Sequence, residues 1–327
     1  MRPAPSAAPP PAASSPWLQA VAAGLWRLPS FRMVPDLVLP APPAAAAGPA
    51  VAGRPRVVFT GFPSHFSVAL LLALLQIEVE VVGLVTSPDA HPVVRADNAL
   101  SQVAHHLGVP LLRLARVNDP DSVSQLAALR PDLGFMASFN QILHAAALAV
   151  PRLGWINVHP SLLPSYRGPE PVYWAIVNGE AETGITIQRV APSIDMGPVL
   201  WQERAAIGPD DTNGTLSRRL TALAARALPG VVARALAGDP GAPLAPGAGS
   251  YYTSVRHRRL DEAPTARVAE RMVRAGNPNM AAAAPVHDRI ELVLRAEVVA
   301  ADDPAKGPRL RFPDGDLRLL ETAPLTD

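Results

Sequence analysis

Asn157-Val158-His159-Pro160-Ser161-Leu162-Leu163-Pro164 decides how the fold of this chain is read. Side chains alternate along a strand with period two, so Asn157 and His159 fall on the same face. Pro160 has no N–H for a central ladder, and Leu162-Leu163-Pro164 continues as a loop, so the strand stops at His159. An amide and an imidazole therefore stand side by side at the end of a buried strand, where open α/β sheets bind ligands. Downstream, Ile194-Asp195-Met196-Gly197 offers a carboxylate able to tune that imidazole. The three groups together suit acyl transfer.

Outward from this stretch, short apolar runs alternate with helical patterns. Strands are expected at residues 56–60, 79–85, 133–138, 155–159, 185–190 and 199–205, with a short apolar run at 109–112. Helices are expected from Ser64, a suitable N-cap, to Leu75, from Asn98 to Leu107 before Gly108, over 121–129, and over 171–178 before Gly179. A long helix begins at Asp211-Thr212-Asn213 and runs to about Ala237. Such alternation predicts an α/β fold with a doubly wound, mostly parallel sheet.

Residues 1–53 form a Pro/Ala-rich extension, within which Trp17, Leu18, Val21, Leu25, Trp26 and Leu28 fall near helical spacing. A sheet-bearing domain is expected over 54–240, a Gly/Pro-rich linker over 241–249, and a small mixed or β domain over 250–327. In the last, a helix is expected at 265–275, strands at 290–299, 309–312 and 317–321, and a hairpin turn at Pro313-Asp314-Gly315-Asp316.

The chain of 327 residues carries a net charge of +1, which implies no polyanionic partner by bulk charge. It has no cysteine, so disulfides, thiolate nucleophiles and cysteine-held metals are excluded, as a reducing compartment would favour. Lys306 is the only lysine, which removes a catalytic lysine from the core. No stretch reaches the roughly 20 apolar residues a membrane span needs. The prolines near the N-terminus argue against a secretory signal, so a cytoplasmic location and no membrane partner are expected.

Several segments together resemble the 10-formyltetrahydrofolate-dependent formyltransferases, whose members act on methionyl-tRNA, phosphoribosylglycinamide or amino sugars. They are Pro131-Asp132-Leu133 leading to Ser138-Phe139-Asn140-Gln141-Ile142-Leu143, then Asn157 to Gly168, then Glu182-Thr183-Gly184-Ile185-Thr186-Ile187, and Ile194-Asp195-Met196-Gly197-Pro198. The resemblance covers about residues 55–240 well and the remainder more weakly, through Tyr251-Tyr252 and Arg274-Ala275-Gly276-Asn277-Pro278. It implies a Rossmann-like formyltransferase fold, with 10-formyltetrahydrofolate as co-substrate and no metal. Many members carry Thr in place of Met196 and Gly in place of Asn140; both positions bear on the shape of the folate pocket.

In that reaction an amine attacks the formyl carbon, a tetrahedral oxyanion forms and the folate nitrogen leaves. The resemblance assigns the roles that the residue chemistry suggests. Asn157 donates to the oxyanion, His159 takes the amine proton or stabilises the oxyanion, and Asp195 holds His159 in the required tautomer. It also implies that Phe139, Asn140, Gln141, Ile142 and Leu143 line the pterin pocket, with Gln141 and Leu143 acting through their main chain. Ser161, Arg167 and Gly168 would cover the formyl group and the acceptor. His65, His91, His105, His106 and His144 are read as surface or structural.

The acceptor is read from Pro169-Glu170-Pro171-Val172-Tyr173-Trp174. Members acting on tRNA usually read Ala-Ala-Pro-Ile there, and the Tyr-Trp pair favours a small amine such as an amino sugar or amino acid derivative, with Trp174 as a pocket wall. Packing of Tyr173 and Trp174 on one helix face is the plain alternative. Arg256, Arg258, Arg259, Arg267, Arg271 and Arg274 could meet tRNA phosphates, but Asp261, Glu262 and Glu270 interleave with them as on a solvated face. Methionyl-tRNA stands as the alternative acceptor. A formyltetrahydrofolate hydrolase and a non-catalytic folate-binding or assembly module are further readings.

Overall fold

The computed structural model of the protein describes residues 53–88, 97–245, 247–255 and 258–324. The expected helix within residues 17–28, His91 and Arg256 lie outside them. The chain runs β1 (Arg56–Gly61), α1 (His65–Leu74), β2 (Glu80–Thr86), α2 (Asp97–Leu107), β3 (Leu111–Arg113), α3 (Pro120–Ala128) and β4 (Leu133–Ala137). Then follow α4 (Ala145–Leu148), β5 (Trp155–His159), α5 (Pro171–Asn178), β6 (Glu182–Arg189), β7 (Val199–Ala206) and α6 (Asn213–Leu236). A 3-10 turn at Leu260–Glu262 leads to α7 (Ala266–Gly276), β8 (Ala282–Val286), β9 (Arg289–Val299), β10 (Arg309–Phe312) and β11 (Gly315–Pro324).

Seven strands form the first sheet in the order β3-β2-β1-β4-β5-β6-β7. Pairings from β3 through β5 are parallel, and β6 and β7 add as antiparallel strands. The strand order reverses between β1 and β4, and in such sheets the crevice beyond the C-terminal strand ends at that point is the ligand site. Helices cover both faces. One core joins Phe59, Phe135 and Ile156 to α1, α2, α5 and α6, and the other joins Met136 and Trp155 to Leu126 and Ala147 of α3 and α4. Strands buried on both faces read as continuous apolar runs, which is why Val57 to Phe59 and Leu133 to Ala137 show no alternation. Among the described residues no helix is long and apolar enough to cross a membrane.

Helix boundaries follow local chemistry. Ser64 caps α1 by accepting the Ser67 N–H. Thr212 and Thr215 close a reciprocal capping box on α6. That helix continues through Pro229, whose missing N–H leaves one ladder position unfilled rather than ending the helix.

The second sheet is antiparallel, ordered β10-β11-β9-β8, and packs on α7 through Ala269, Val273, Val293 and Leu317. Strand β8, Ala282-Ala283-Ala284-Pro285-Val286, was not expected. Alanine and proline disfavour strands, but β8 is an edge strand, where proline withholds no needed ladder bond.

Ala242, Ser250 and Tyr252 are bonded to the first sheet and to the loop after β5. Ala242 exchanges backbone hydrogen bonds with Val199, and Ser250 and Tyr252 bond to the Pro164–Arg167 loop.

Candidate active site

Asn157 and His159 share a face of β5, as the period-two reading requires. The antiparallel register sets Gln188 opposite Asn157 and Thr186 opposite His159, with Gln202 beside Thr186 on β7. Thr186, fully buried, donates to the Ser161 carbonyl at 2.7 Å and accepts from the Leu163 N–H at 3.2 Å and from Gln202 at 2.8 Å. Gln202 also donates to the Leu163 carbonyl. This polar cluster fixes the loop after β5 and so fixes where His159 stands.

His159 is 5% exposed. Its Nε2 lies 2.8 Å from the Tyr166 carbonyl, and its Nδ1 lies 3.6 Å from Asp195 Oδ2. A carbonyl only accepts, so Nε2 carries a proton here and Nδ1 faces the carboxylate. Asp195 stands in the left-handed region at φ 52°, and its carboxylate accepts from the Gly168 N–H at 2.9 Å and the Gln188 amide at 3.1 Å. Gly168 holds φ +91°, and a β-carbon there would fall 2.3 Å from the Tyr252 carbonyl. Only glycine lets the loop pass between Tyr252 and Asp195. Ser138, Tyr166 and Glu170 also hold φ between 53° and 59°. Left-handed backbone at side-chain-bearing residues concentrates at functional sites, and Ser138, Glu170 and Asp195 all line one cleft.

That cleft has a volume of about 640 Å³ and opens beyond the ends of β1, β4 and β5. Asn157, His159, Gly168 and Asp195 line it, as do Phe139, Asn140, Gln141, Ile142 and Leu143. These last five act in different ways. Ile142 is 50% exposed and free to contact a ligand. Leu143 is buried in the core, and Phe139 packs against the same core. Asn140 accepts from the Ser87 hydroxyl. The Gln141 side chain bonds to Ser87, the Leu114 carbonyl and the Val117 N–H, which ties the loop to the ends of β2 and β3 and leaves its main chain for the cleft.

The structure places Ser161, Arg167 and Trp174 off the cleft wall. Ser161 is fully buried and donates to the Ser165 carbonyl. Arg167 bonds through its backbone to Ser250 and Tyr252. Trp174 donates its indole N–H to the Thr253 carbonyl and stacks on Tyr252 at 5.1 Å, and Tyr252 stacks in turn on Tyr166 at 5.1 Å. Tyr173 is 2% exposed. Tyr173 thus packs in the core, and the Trp174 indole packs on the C-terminal segment, away from the cleft wall where the sequence reading placed it. Met196 is also off the cleft wall, while Asn140 is on it.

Sequence reasoning missed Gln188 and the wall formed by Tyr251, Ser254 and Val255. Gln188 is detectable in retrospect, as a polar residue in the run Ile185-Thr186-Ile187-Gln188. Residues 251–255 reach the cleft only because the chain returns alongside Pro164–Arg167, which no local pattern announces.

Residues 56–232, more than half of the chain, match the family described as formyl transferase. Methionyl-tRNA formyltransferase of Roseiflexus sp. (strain RS-1) is 45% identical over 178 residues, covering 53% of this chain and 54% of that protein. Methionyl-tRNA formyltransferase of Chloroflexus aggregans is 40% identical over 235 residues, covering 68% and 74%. The chain thus spans about half the length of the first of these curated relatives and more of the second. Among solved structures, a sugar N-formyltransferase from Shewanella sp. superposes with a TM-score of 0.58 at 21% identity, covering 75% of this chain and 99% of that one. The N-formyltransferase of Helicobacter canadensis, solved with folinic acid and dTDP-3-aminofucose, gives 0.59 at 14% identity, covering 83% and 100%. At these identities the structural likeness concerns the fold alone.

Proposed function

The chain belongs to the formyl transferase family, and we propose that it transfers a formyl group from 10-formyltetrahydrofolate to the amino group of methionine carried on an initiator tRNA. The convergence of Asn157, His159 and Asp195 on one cleft supports the chemistry. The relatives that carry the methionyl-tRNA name, at 45% and 40% identity, support the acceptor. The sequence argument for a small amine rested on the Tyr-Trp pair in place of Ala-Ala-Pro-Ile, and neither of those two side chains lines the cleft. Arg259 and Arg274 are held in ion pairs with Asp261 and Glu270, so those two arginines do not carry the tRNA reading.

The cleft fits the co-substrate. Its volume lies within the range of about 300–1,000 Å³ usual for small-molecule sites, and it mixes apolar wall with few polar groups. Phe139, Ile142 and Val190 offer apolar surface, and the backbone of the Ser138–Leu143 loop offers hydrogen-bonding groups to a pterin.

In the reaction the amine nitrogen bonds to the formyl carbon and the carbonyl electrons move to oxygen, where the Asn157 amide donates to the oxyanion. When reactants displace the Tyr166 carbonyl, neutral His159 carries its one proton on Nδ1, toward Asp195; the free Nε2 then takes the amine proton and passes it to the folate nitrogen as its bond to carbon breaks. Asp195, fixed by Gly168 and Gln188, stabilises the charged imidazole during that transfer. The products are the N-formyl amine and tetrahydrofolate.

Mass spectrometry tests the proposal. The protein and 10-formyltetrahydrofolate are incubated with methionyl initiator tRNA in one arm and with a panel of amino sugars and amino acids in the other. A formyl gain on the tRNA-bound methionine is expected. A gain on a small amine alone would overturn the acceptor, folate cleavage with no formylated product would point to a hydrolase, and no turnover would leave a binding module.

A further inference from the structure

Gln188 lines the cleft, yet holding Asp195 engages only one end of its amide. It is 2% exposed, and Nε2 donates to Asp195 Oδ1 at 3.1 Å. A carboxylate only accepts, so the nitrogen end of the amide faces Asp195 and Oε1 faces away. That Oε1 is buried and has no hydrogen-bond partner among the described residues. Gln141, which also lines the cleft, behaves differently: it satisfies both ends of its amide on Ser87, Leu114 and Val117. A buried acceptor left open at a reaction site requires an explanation.

The register supplies one. Gln188 is directly opposite Asn157 on the neighbouring antiparallel strand, and both line the cleft. Opposed residues share a face with Cβ atoms about 5 Å apart, which puts the Asn157 amide and Gln188 Oε1 within side-chain reach of each other. A primary amide has two N–H donors.

We propose that Gln188 is a positioning residue that joins the two halves of the site. Its donor end fixes the Asp195 carboxylate toward His159. Its acceptor end takes one N–H of the Asn157 amide in the loaded enzyme, which aims the second N–H at the oxyanion. The role rests on the formyl-transfer reading.

The test compares wild type with Q188M, Q188E, N157A and the double variant N157A/Q188M in kcat, KM for 10-formyltetrahydrofolate, melting temperature and pH profile. Q188M keeps the length and removes both polar ends. It is expected to lower kcat by about ten- to hundredfold, the usual scale for losing a partner that orients a reacting group, with KM and melting temperature close to wild type. Because the two residues act as a unit, adding Q188M to N157A should cost much less than Q188M alone costs. Q188E keeps an acceptor for Asn157 but can donate to Asp195 only when its carboxyl is protonated, so its activity relative to Q188M should rise toward acid pH. A Q188M enzyme with wild-type kcat, or losses that multiply fully in the double variant, would overturn the role. If Q188M does not fold, the pH profile of Q188E decides, and a profile parallel to wild type sinks the proposal. A wild-type protein that formylates no acceptor would instead remove the formyl-transfer reading and the Gln188 role with it.

Discussion

Asp195→Asn isolates the charge that the site places beside His159. The side chain keeps its shape, and the surrounding hydrogen bonds can be kept as well. An asparagine oxygen can go on accepting from Gly168, while its new NH₂ meets Gln188, whose amide can turn to present the open Oε1. What is lost is the negative charge 3.6 Å from His159 Nδ1, between side chains that are 7% and 12% exposed. Unit charges about 4 Å apart interact by about 4 kcal/mol at the effective dielectric near 20 that suits such sites. At about 1.4 kcal/mol per factor of ten, that corresponds to about a thousandfold in rate if the imidazolium forms fully in the transition state. Partial proton transfer and residual solvent reduce it, so kcat should fall by roughly a hundred- to a thousandfold. KM for 10-formyltetrahydrofolate should stay within a few-fold. Single-turnover formylation followed by mass spectrometry measures the chemical step, and circular dichroism with a melting curve confirms that the fold survives. A well-folded D195N enzyme whose single-turnover rate stays within fivefold of wild type would refute the electrostatic role.

Three other outcomes are expected. Trp174→Phe should leave kcat and KM within about twofold while lowering stability by roughly 1 kcal/mol through the lost Thr253 bond; a large rise in KM would return the indole to the substrate pocket. Gly168→Ala should cost at least the roughly 1–2 kcal/mol of a left-handed alanine and displace the Asp195 contact, since its β-carbon meets the Tyr252 carbonyl; wild-type stability and rate in that variant would show that the loop yields freely. Stability should fall with acid in two windows, read by urea unfolding across pH. Burial, and secondarily the charge of Arg218, push His65 from 6.5 down to about 4, so the unfolded chain takes up that proton first and stability drops as pH falls through that interval. Burial would raise Asp211, but Arg219, the Gly208 N–H and Thr215 outweigh it and hold the carboxyl at about 2, so stability present above 3.8 is lost between 3.8 and about 2. His65→Gln should flatten the upper window and Asp211→Asn the lower; unchanged pH dependence in either variant would refute that assignment.

Much of the fold was legible because its causes are local. Apolar runs, helix caps at Ser64 and Thr212, and the proline stop after His159 act within a few residues, so strand and helix order could be read directly. Strand β8 escaped because its alanines and Pro285 carry no strand signal, and β9 rather than propensity holds it in place. Trp174 misled for a related reason. An aromatic residue near a substrate loop can turn inward or outward, and the choice fell to Tyr252, 78 residues further along the chain.

The sequence by itself determined that an amide and an imidazole share one face at a strand end, because the period of a strand depends on nothing beyond the strand. Tertiary structure alone decided their surroundings. Asp195 meets His159 only once Gly168 and Gln188 have fixed its carboxylate, Gln188 faces Asn157 only in the register that joins β5 to β6, and Tyr251 reaches the cleft only after the chain returns beside Pro164–Arg167. Contacts of that kind depend on how whole elements pack, and no short window of sequence contains both partners.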